Sequence, residues 1–444
     1  MVIFVIMTIE VILMSIIKDG IIGHAIGDAM GVPIEFESRS RLLENPITEM
    51  TGGGTHGQPK GYFSDDTSME IATIDSYIKK EKFDYDDIMN NFSLWITEGK
   101  FTPGGKAFDA GMTCYNAINN YLKGTPALES GLNTIDSNGN GSLMRMLPAV
   151  YYAHYKKLKQ SEILRLTKRL SSITHRHEIS ILGCYLYNNY LLNIINGKDK
   201  YAALNMLKVL DLSSFSEDSI NKYKRLFENN FEKTSVKDIR STGYVVDTLE
   251  AAIWIILNTK NFKQAIIGAI NLGDDTDTVG AVTGSIAGVL YGYNDIPKVW
   301  LKDLVKRKEL EEYSKSFESI LLKKERKINL IIEDNRIYKI DNKNNIISEV
   351  EFKKISKDTY DITKVFVDPI YRGKGEGKKM FEKAYNFLKS KNYKVTASCN
   401  FALEKIKEKT KNSKKMEKLG DRLIGNAASA VERKIINSIL KKIF

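Results

Sequence analysis

Two short acidic turns contain the residues of this sequence that are best suited to bind a metal ion. In the first, residues 274–278, three aspartates and two threonines follow Gly273. Asp and Thr favour helix starts and offer oxygen ligands, so the pattern predicts a tight turn before a buried helix. Like charges at this density are costly unless a cation lies among them. A solvated acidic helix cap is the alternative that these residues alone leave open.

The second acidic turn lies far upstream, at Ser64-Asp65-Asp66-Thr67, and leads into a helix predicted over 71–80. It has the same character, because carboxylates and hydroxyls again stand together at a helix start. Oxygen atoms of this kind are the ligands that hard divalent cations prefer. The pair of turns therefore favours one shared metal site over two unrelated helix caps.

A third loop has the composition of an anion-binding turn. Residues 138–141 read Asn-Gly-Asn-Gly, a helix start is predicted at Ser142, and Arg145 follows. Free backbone N–H groups beside a guanidinium suit a phosphate. Asn-Gly pairs more often simply form turns, so an ordinary turn remains the alternative.

The sequence also predicts a helix rich in small residues near its start. Glycine and alanine recur at helical spacing from Gly20 to Gly31, which predicts close packing against another helix, and Pro33 ends the pattern. Glu35 follows in a loop, where we expect an exposed side chain. His175 precedes an apolar helix over 179–195 and is a candidate cap, packed ring or substrate contact.

The periodicity of the first 300 residues is helical almost throughout, which predicts an all-α domain. After residue 325 the pattern changes. Strands are predicted over 328–332, 337–340, 346–352, 360–367 and 393–398, with an amphipathic helix over 378–389. The sequence therefore predicts a second, smaller α+β domain.

Charge and composition suggest where the boundaries lie. Residues 301–444 carry 36 basic and 21 acidic side chains, whereas the first 300 residues carry 30 and 34. We predict an apolar extension over 1–14, a helical domain over 15–300, a basic linker over 301–325, an α+β domain over 326–408 and a basic helical tail over 409–444.

The overall composition excludes several classes of protein. Hydrophobic content of 43% and charged content of 27% indicate a globular chain. The three cysteines lie far apart, without a disulfide or metal pattern, so we expect a cytoplasmic, reducing environment. The apolar start lacks a basic flank and a cleavage site, so neither secretion nor stable membrane insertion is expected. Solvated lysine faces explain the basic region without specific nucleic-acid binding.

Taken in order, the small-residue helix, the turn at 64–67, the loop at 138–145, Thr174-His175 and the turn at 273–278 resemble the ADP-ribosylglycohydrolase family over about residues 15–300. That family includes the enzyme that reactivates ADP-ribosylated dinitrogenase reductase. The resemblance implies an all-α fold with a binuclear Mg²⁺ or Mn²⁺ centre. It also implies removal of ADP-ribose from a protein side chain or a small molecule.

The family's functional residues can be carried over position by position. The implied metal ligands are Ser64, Asp65, Asp66, Asp275, Asp277 and Thr278. Asp65, Asp66, Asp277 and Glu35 are the implied catalytic residues, and Asn140, Gly141, Ser142, Arg145 and His175 are the implied substrate contacts. Many relatives have Gly-Gly-Asp where this chain has Gly273-Asp274-Asp275, so Asp274 is an additional carboxylate that either tunes metal affinity or faces solvent.

The C-terminal region resembles a small GNAT-type N-acetyltransferase domain over about residues 326–408. The motif is Arg372-x-x-Gly375-x-Gly377 between a strand and a helix, and it implies a pyrophosphate loop for acetyl-CoA. Cys399 stands where minimal members of that family have a cysteine. A Gly- and Lys-rich loop without a ligand is the alternative interpretation.

The leading hypothesis is a metal-dependent ADP-ribosyl hydrolase fused to an acetyl-CoA-binding domain. One alternative is an ADP-ribose-binding module without turnover. Another is an acetyltransferase whose helical domain recognises the target. The sequence alone does not select the acceptor, the metal or the oligomeric state.

Overall fold

The computed structural model describes residues 2–323, 329–340, 345–373 and 375–411, with the side chains of 2–15, 329 and 370 excepted. Its contacts divide the chain into an N-terminal unit, Met1–Lys323, and a C-terminal unit, Lys324–Phe444. Most of the tail predicted over 409–444 lies outside the described residues.

The N-terminal unit is helical, as predicted. Its helices are α1 (Val2–Gly31), α2 (Arg39–Glu44), α3 (Asp65–Lys80), α4 (Tyr85–Glu98), α5 (Met112–Leu122), α6 (Ala127–Ser130), α7 (Leu147–Lys156), α8 (Gln160–Ser172), α9 (Glu178–Ile195), α10 (Lys200–Leu207), α11 (Glu217–Lys222), α12 (Lys224–Phe227), α13 (Val245–Asn258), α14 (Phe262–Ile270), α15 (Thr276–Tyr291), α16 (Lys298–Asp303) and α17 (Arg307–Leu322). Short 3-10 helices cover Val32–Ile34, Ile135–Ser137, Phe231–Lys233, Val236–Asp238 and Tyr293–Asp295.

Helices α1 and α15 form the closest packing in this unit, backbone against backbone. A Cβ atom added to Gly27 would lie 1.9 Å from the carbonyl oxygen of Gly280, and one added to Gly284 would lie 2.1 Å from that of Gly23. Only glycine fits such a contact. The pairing is antiparallel, so the end of α1 lies beside the start of α15. We call this contact the glycine seam.

The described residues 301–323 do not form the linker that was predicted over 301–325. Most of them belong to α16 and α17, and α17 buries Leu310, Phe317 and Leu321 within the N-terminal unit. Their spacing places these three side chains on one helix face. The high density of charged residues on the other face hid this pattern in the sequence. The predicted extension at 1–14 is likewise helical from Val2 and continuous with α1.

The C-terminal unit has the predicted α+β character. Strands β1 (Asn329–Ile332), β2 (Arg336–Ile340), β3 (Ile346–Ser356), β4 (Thr359–Val367) and β5 (Lys394–Ala397) form one sheet in that order. The first four are antiparallel neighbours, and β5 pairs parallel to β4 after helix α18 (Glu376–Ser390) crosses over. A short 3-10 helix, Pro369–Tyr371, precedes α18, and a further helix covers 400–411.

The hydrophobic core of this unit lies between the sheet and α18. Val350, Phe352 and Ile362 on β3 and β4 pack with Met380 and Phe381 of α18, and all five side chains are buried. Cys399 is half-buried just beyond β5, where its N–H donates to the carbonyl of Ile362 across 3.2 Å. No helix in the described part of the chain is long and apolar enough to span a membrane.

Candidate metal and substrate site

The first acidic turn is held in place by an aspartate of α1. Asp28 accepts hydrogen bonds from the backbone N–H of Ser64 at 2.8 Å, from the N–H of Thr67 at 3.0 Å and from its hydroxyl at 2.6 Å. Ser64 is the N-cap of α3 and accepts from the N–H of Asp66 at 3.3 Å. Asp28 belongs to the small-residue helix noted in the sequence, but nothing there indicated that it supports this turn.

The second acidic turn meets the first in space. Asp275 caps α15, and the hydroxyl of Thr278 donates to Oδ2 of Asp66 across 3.1 Å. The hydroxyl of Ser64 donates to the same oxygen across 3.2 Å. The structure therefore brings together the turns at 64–67 and 275–278, which the sequence separates widely.

Several carboxylates at this junction are buried without a cationic partner in the part of the chain that the structure describes. Asp66 and Asp277 are no more than 1% exposed, and neither Oδ1 of Asp66 nor Oδ2 of Asp277 has a hydrogen-bond partner among the described residues. Burial, reinforced by neighbouring carboxylates, raises the pKa of both groups well above the ordinary aspartate value. It raises the pKa of Asp65 in the same way. A buried, oxygen-only set with unpartnered atoms fits a divalent cation.

Glu35 joins this group from the other side. It follows the 3-10 helix Val32–Ile34 and is 3% exposed, so the expectation of an exposed loop residue was wrong. Carboxylate oxygens of Glu35, Asp275 and Asp277 lie within 4.8 Å of one another. Burial raises the pKa of Glu35 to about 8, although a hydrogen bond with His56 opposes the shift. The short 3-10 helix explains the burial, because it turns the chain back toward the start of α15.

Two residues of this site were missed in the sequence. His56 contacts Oε2 of Glu35 through Nε2, and the same nitrogen lies 4.0 Å from Oδ1 of Asp109. Asp109 has a backbone φ of 52° and stands in a loop before α5. The Gly-rich composition around His56 marked a loop, but no spacing linked either residue to Glu35.

A cavity of about 250 Å³ opens above these carboxylates. It is lined by Glu35, Phe36, Asp65, Asp109, Gly111, Met112, Thr113, Cys114, Gly139, Asn140, Gly141, Met144, His175, Gly243, Asp275 and Thr278. Neither lysine nor arginine occurs among these described lining residues. The wall is therefore acidic on one side and contains the Asn-Gly turn and a histidine on the other.

Three of the predicted substrate contacts line this cavity. The amide nitrogen of Asn140 donates to Oδ2 of Asp275 at 3.0 Å and to the hydroxyl of Thr248 at 2.9 Å, so Asn140 also orients a carboxylate. Gly141 packs closely against the ring of His175. Burial lowers the pKa of His175 to about 3, so its imidazole is neutral at physiological pH.

The other two predicted substrate contacts, Ser142 and Arg145, lie behind the cavity wall. The hydroxyl of Ser142 contacts Cys184 and accepts from Ser171, and its side chain is fully buried. Arg145 is 1% exposed and donates from Nη2 to the carbonyl of Leu170 and the hydroxyl of Thr174. Their side chains point into the protein, because the chain turns toward α7 directly after Gly141. The predicted pyrophosphate contact by these two side chains is therefore not supported.

Asp274 differs from its acidic neighbours. Its side chain is exposed, and its backbone has a φ of 60° while its N–H donates to the carbonyl of Glu37 at 3.0 Å. Glycine adopts this backbone conformation most easily. Of the two alternatives left by the sequence, the structure places Asp274 toward solvent.

The predicted acetyl-CoA motif forms part of a second cavity, in the C-terminal unit. Arg372, Gly375 and Gly377 line a space of about 500 Å³ together with Val365, Phe366, Val367, Tyr371, Gly373, Glu376, Lys378, Phe401 and Lys405. Gly375 has a φ of 73° and caps α18. Arg372 donates from Nε to the carbonyl of Val367 at 3.0 Å. The loop therefore presents a helix start beside basic side chains.

Comparisons with known proteins match both units of the chain to known families. The sequence profile described as ADP-ribosylglycohydrolase matches residues 11–328, and that described as GCN5-related N-acetyl-transferase matches residues 337–416. The chain is similar to ADP-ribosylarginine hydrolase Tri1 of Serratia proteamaculans, with 36% identity over 296 residues, covering 66% of this chain and 76% of that protein.

Two further comparisons reach the same family. ADP-ribosyl-[dinitrogen reductase] glycohydrolase of Rhodospirillum rubrum is 29% identical over 295 residues, covering 65% of this chain and 90% of that protein. A solved structure described as an ADP-ribosylglycohydrolase-related protein complex has a TM-score of 0.59 and 27% identity, covering 70% of this chain and 99% of its own. The chain thus belongs to the ADP-ribosylglycohydrolase family through its helical unit, which a GNAT-like acetyltransferase domain follows.

Proposed function

We propose that the helical unit hydrolyses the bond between ADP-ribose and an arginine side chain of a modified protein, and that it requires Mg²⁺ or Mn²⁺. The observation that carries this proposal is the meeting of the two acidic turns at Asp66 and Thr278, where buried carboxylate oxygens have no hydrogen-bond partner among the described residues. The residues that would hold two ions are Ser64, Asp65, Asp66, Asp275, Asp277 and Thr278. Bound there, divalent ions supply positive charge that holds the ribose hydroxyls and stabilises the reacting centre.

The protein's own groups suit the remaining chemistry. Hydrolysis breaks the bond between the anomeric carbon and the guanidine nitrogen, joins the oxygen of water to that carbon and returns a proton to the nitrogen. Glu35 lies at the cavity wall and can exchange a proton near neutral pH, because burial raises its pKa to about 8. Asp109 lies on the same wall and is a second candidate for proton transfer.

Two arguments support arginine as the acceptor. Relatives at 36% and 34% identity are named ADP-ribosylarginine hydrolases. In addition, Glu35 and Asp109 face a cavity without lysine or arginine among its described lining residues, and such a wall complements a guanidinium better than a hydroxyl leaving group.

Release of ADP-ribose from defined substrates tests this proposal. The protein is incubated with an arginine-ADP-ribosylated protein in Mg²⁺, in Mn²⁺ and in EDTA, and with a serine-ADP-ribosylated peptide in parallel. We expect metal-dependent release from the arginine conjugate. Metal-independent release would contradict the metal requirement. ADP-ribose binding without release would instead support the non-catalytic module.

We propose a second activity for the C-terminal unit, namely binding of acetyl-CoA. The cavity of about 500 Å³ beside the start of α18 supports it, because helix N–H groups and Arg372 suit a pyrophosphate. Calorimetric titration of the full chain with acetyl-CoA, compared with Arg372→Ala, tests this. Heat that is equal for both proteins would count against the site. Acetylation of a protein partner without any hydrolysis would favour the acetyltransferase alternative.

A further inference from the structure

His56 stands between two carboxylates at the edge of the cavity. Its Nε2 contacts Oε2 of Glu35 and lies 4.0 Å from Oδ1 of Asp109. One ligand atom from each of these three residues lies within 4.8 Å of the other two. The side chains of His56, Glu35 and Asp109 are 16%, 4% and 23% exposed, so the group is enclosed but reachable from the cavity.

The surrounding chain fixes the imidazole. The hydroxyl of Thr55 donates to the backbone carbonyl of Glu35 at 2.6 Å, and the amide of Gln58 donates to the carbonyl of His56 at 3.1 Å. The His56 ring packs between Phe36 and Phe108, with centroid distances of 6.2 and 5.5 Å. Hydrogen bonds to the backbone and aromatic contacts to the ring thus together hold His56 beside the two carboxylates.

We propose that Glu35, His56 and Asp109 form a binding site for a transition-metal ion, with Zn²⁺ as its best occupant. One imidazole nitrogen and two carboxylates are a ligand set that zinc uses, whereas Mg²⁺ prefers oxygen alone. A tetrahedral ion with bonds of about 2.0–2.2 Å separates its ligand atoms by about 3.3–3.6 Å. Small side-chain movements bring the three atoms to that spacing, and the cavity leaves a fourth position open.

This site differs from the oxygen-only site but lies next to it. Glu35 also lies within 4.8 Å of the oxygens of Asp275 and Asp277. An ion bound to His56 and Asp109 would therefore also bind Glu35 and neutralise a carboxylate that faces the acidic turns. We infer that Zn²⁺ inhibits hydrolysis by occupying Glu35, a consequence that rests on the proposed function, whereas the binding itself does not.

Metal binding by the full chain tests the site without any need for turnover. The protein is saturated with Mg²⁺ and titrated with Zn²⁺ in a calorimeter, and Co²⁺ is added separately to record its visible absorption. We expect one Zn²⁺ per chain under saturating Mg²⁺. His56→Gln should weaken that binding at least about tenfold and remove the Co²⁺ bands. His154→Gln, on α7 and hydrogen-bonded to Asn196, is the matched control and should bind as the wild type does.

The outcomes are distinct. Equal Zn²⁺ affinity in wild type and His56→Gln overturns the site, as does the absence of any Zn²⁺ binding under saturating Mg²⁺. If His56→Gln unfolds, Asp109→Asn gives the same binding test with a nearly isosteric change. Zinc binding that depends on His56 in a protein without hydrolytic activity would leave this site standing and refute the proposed function instead.

Discussion

The hydroxyl of Thr278 donates to the carboxylate of Asp66 across 3.1 Å, although the two residues are 212 positions apart in the chain. This bond joins the N-termini of α3 and α15 above the glycine seam. It places the two acidic turns in one buried group. Both turns contribute carboxylates to this group, and neither turn contributes a positive charge.

Removing one carboxylate from this group should sharply lower the metal-dependent hydrolytic activity. We expect Asp277→Asn to lower the rate of ADP-ribose release at least about 100-fold, since even second-sphere changes at metal sites cost about 10–100-fold. Metal-free Asp277→Asn should be more stable than the metal-free wild type, because the variant removes the cost of burying a carboxyl group among other carboxylates. Activity assays and melting curves with and without Mg²⁺ measure both effects.

Asp274→Asn is the control for that variant, because Asp274 belongs to the same turn but is exposed. It should retain activity and the stabilisation by Mg²⁺. Equal losses in Asp274→Asn and Asp277→Asn would show that the whole turn, rather than its buried carboxylates, is required.

The buried Glu35 should make the metal-free protein less stable at alkaline pH. Its pKa is raised from 4.5 in the unfolded chain to about 8 in the folded protein, so the folded state holds more protons in this interval. Stability therefore falls as pH rises from 4.5 to about 8. We expect the melting temperature in EDTA to be lower at about pH 8 than at about pH 6, and this fall to be smaller in Glu35→Gln. An equal fall in both proteins would assign the effect to other groups.

Arg145 should act on stability rather than on substrate binding. Its guanidinium is buried and bonded to Leu170 and Thr174, away from the cavity. We expect Arg145→Lys to lower the free energy of unfolding by about 1–3 kcal/mol, because the lysine ammonium does not reproduce the position of Nη2, which donates both hydrogen bonds. Denaturant titration measures this change, and the KM should stay within about threefold. A much larger rise in KM would restore the predicted pyrophosphate contact.

The glycine seam should tolerate no side chain. We expect Gly27→Ala to destabilise the protein by about 1–3 kcal/mol, because its Cβ would meet the carbonyl oxygen of Gly280 at 1.9 Å. Gly268→Ala on α14 is the control, since the nearest atom to its Cβ would be the flexible end of Ile255 at 3.1 Å, and its effect should stay below about 1 kcal/mol. Comparable losses in both variants would argue against a special role for the seam.

Much of this arrangement could be predicted from the sequence, because its signals are local. The helical period of the first 300 residues, the small-residue spacing of α1 and the strand pattern after residue 325 all reflect which face of an element is buried. The two acidic turns were recognisable because a helix start leaves a consistent pattern of Asp, Ser and Thr.

The locations of the misplaced and missed residues are set by burial and by contacts between distant parts of the chain, which the sequence does not show. Arg145 and Ser142 follow the Asn-Gly turn closely, but the sequence does not show that the chain turns inward there. Glu35 was expected on the surface because a lone glutamate in a loop usually has an exposed side chain. His56 and Asp109 meet only because two loops fold over the same helix ends, and no spacing in the sequence records that meeting.

The glycine seam also sets a length. Sliding α1 along α15 by one helical turn would displace the end of α1 by about 5.4 Å. That step exceeds the 4.8 Å within which the oxygens of Glu35, Asp275 and Asp277 all lie. The chain reaches Glu35 four residues after α1 ends at Gly31. The packing of α1 against α15 therefore fixes the distance between the Glu35 carboxylate and the start of α15. Because α1 cannot slide along α15, Glu35 stays close to the acidic turns.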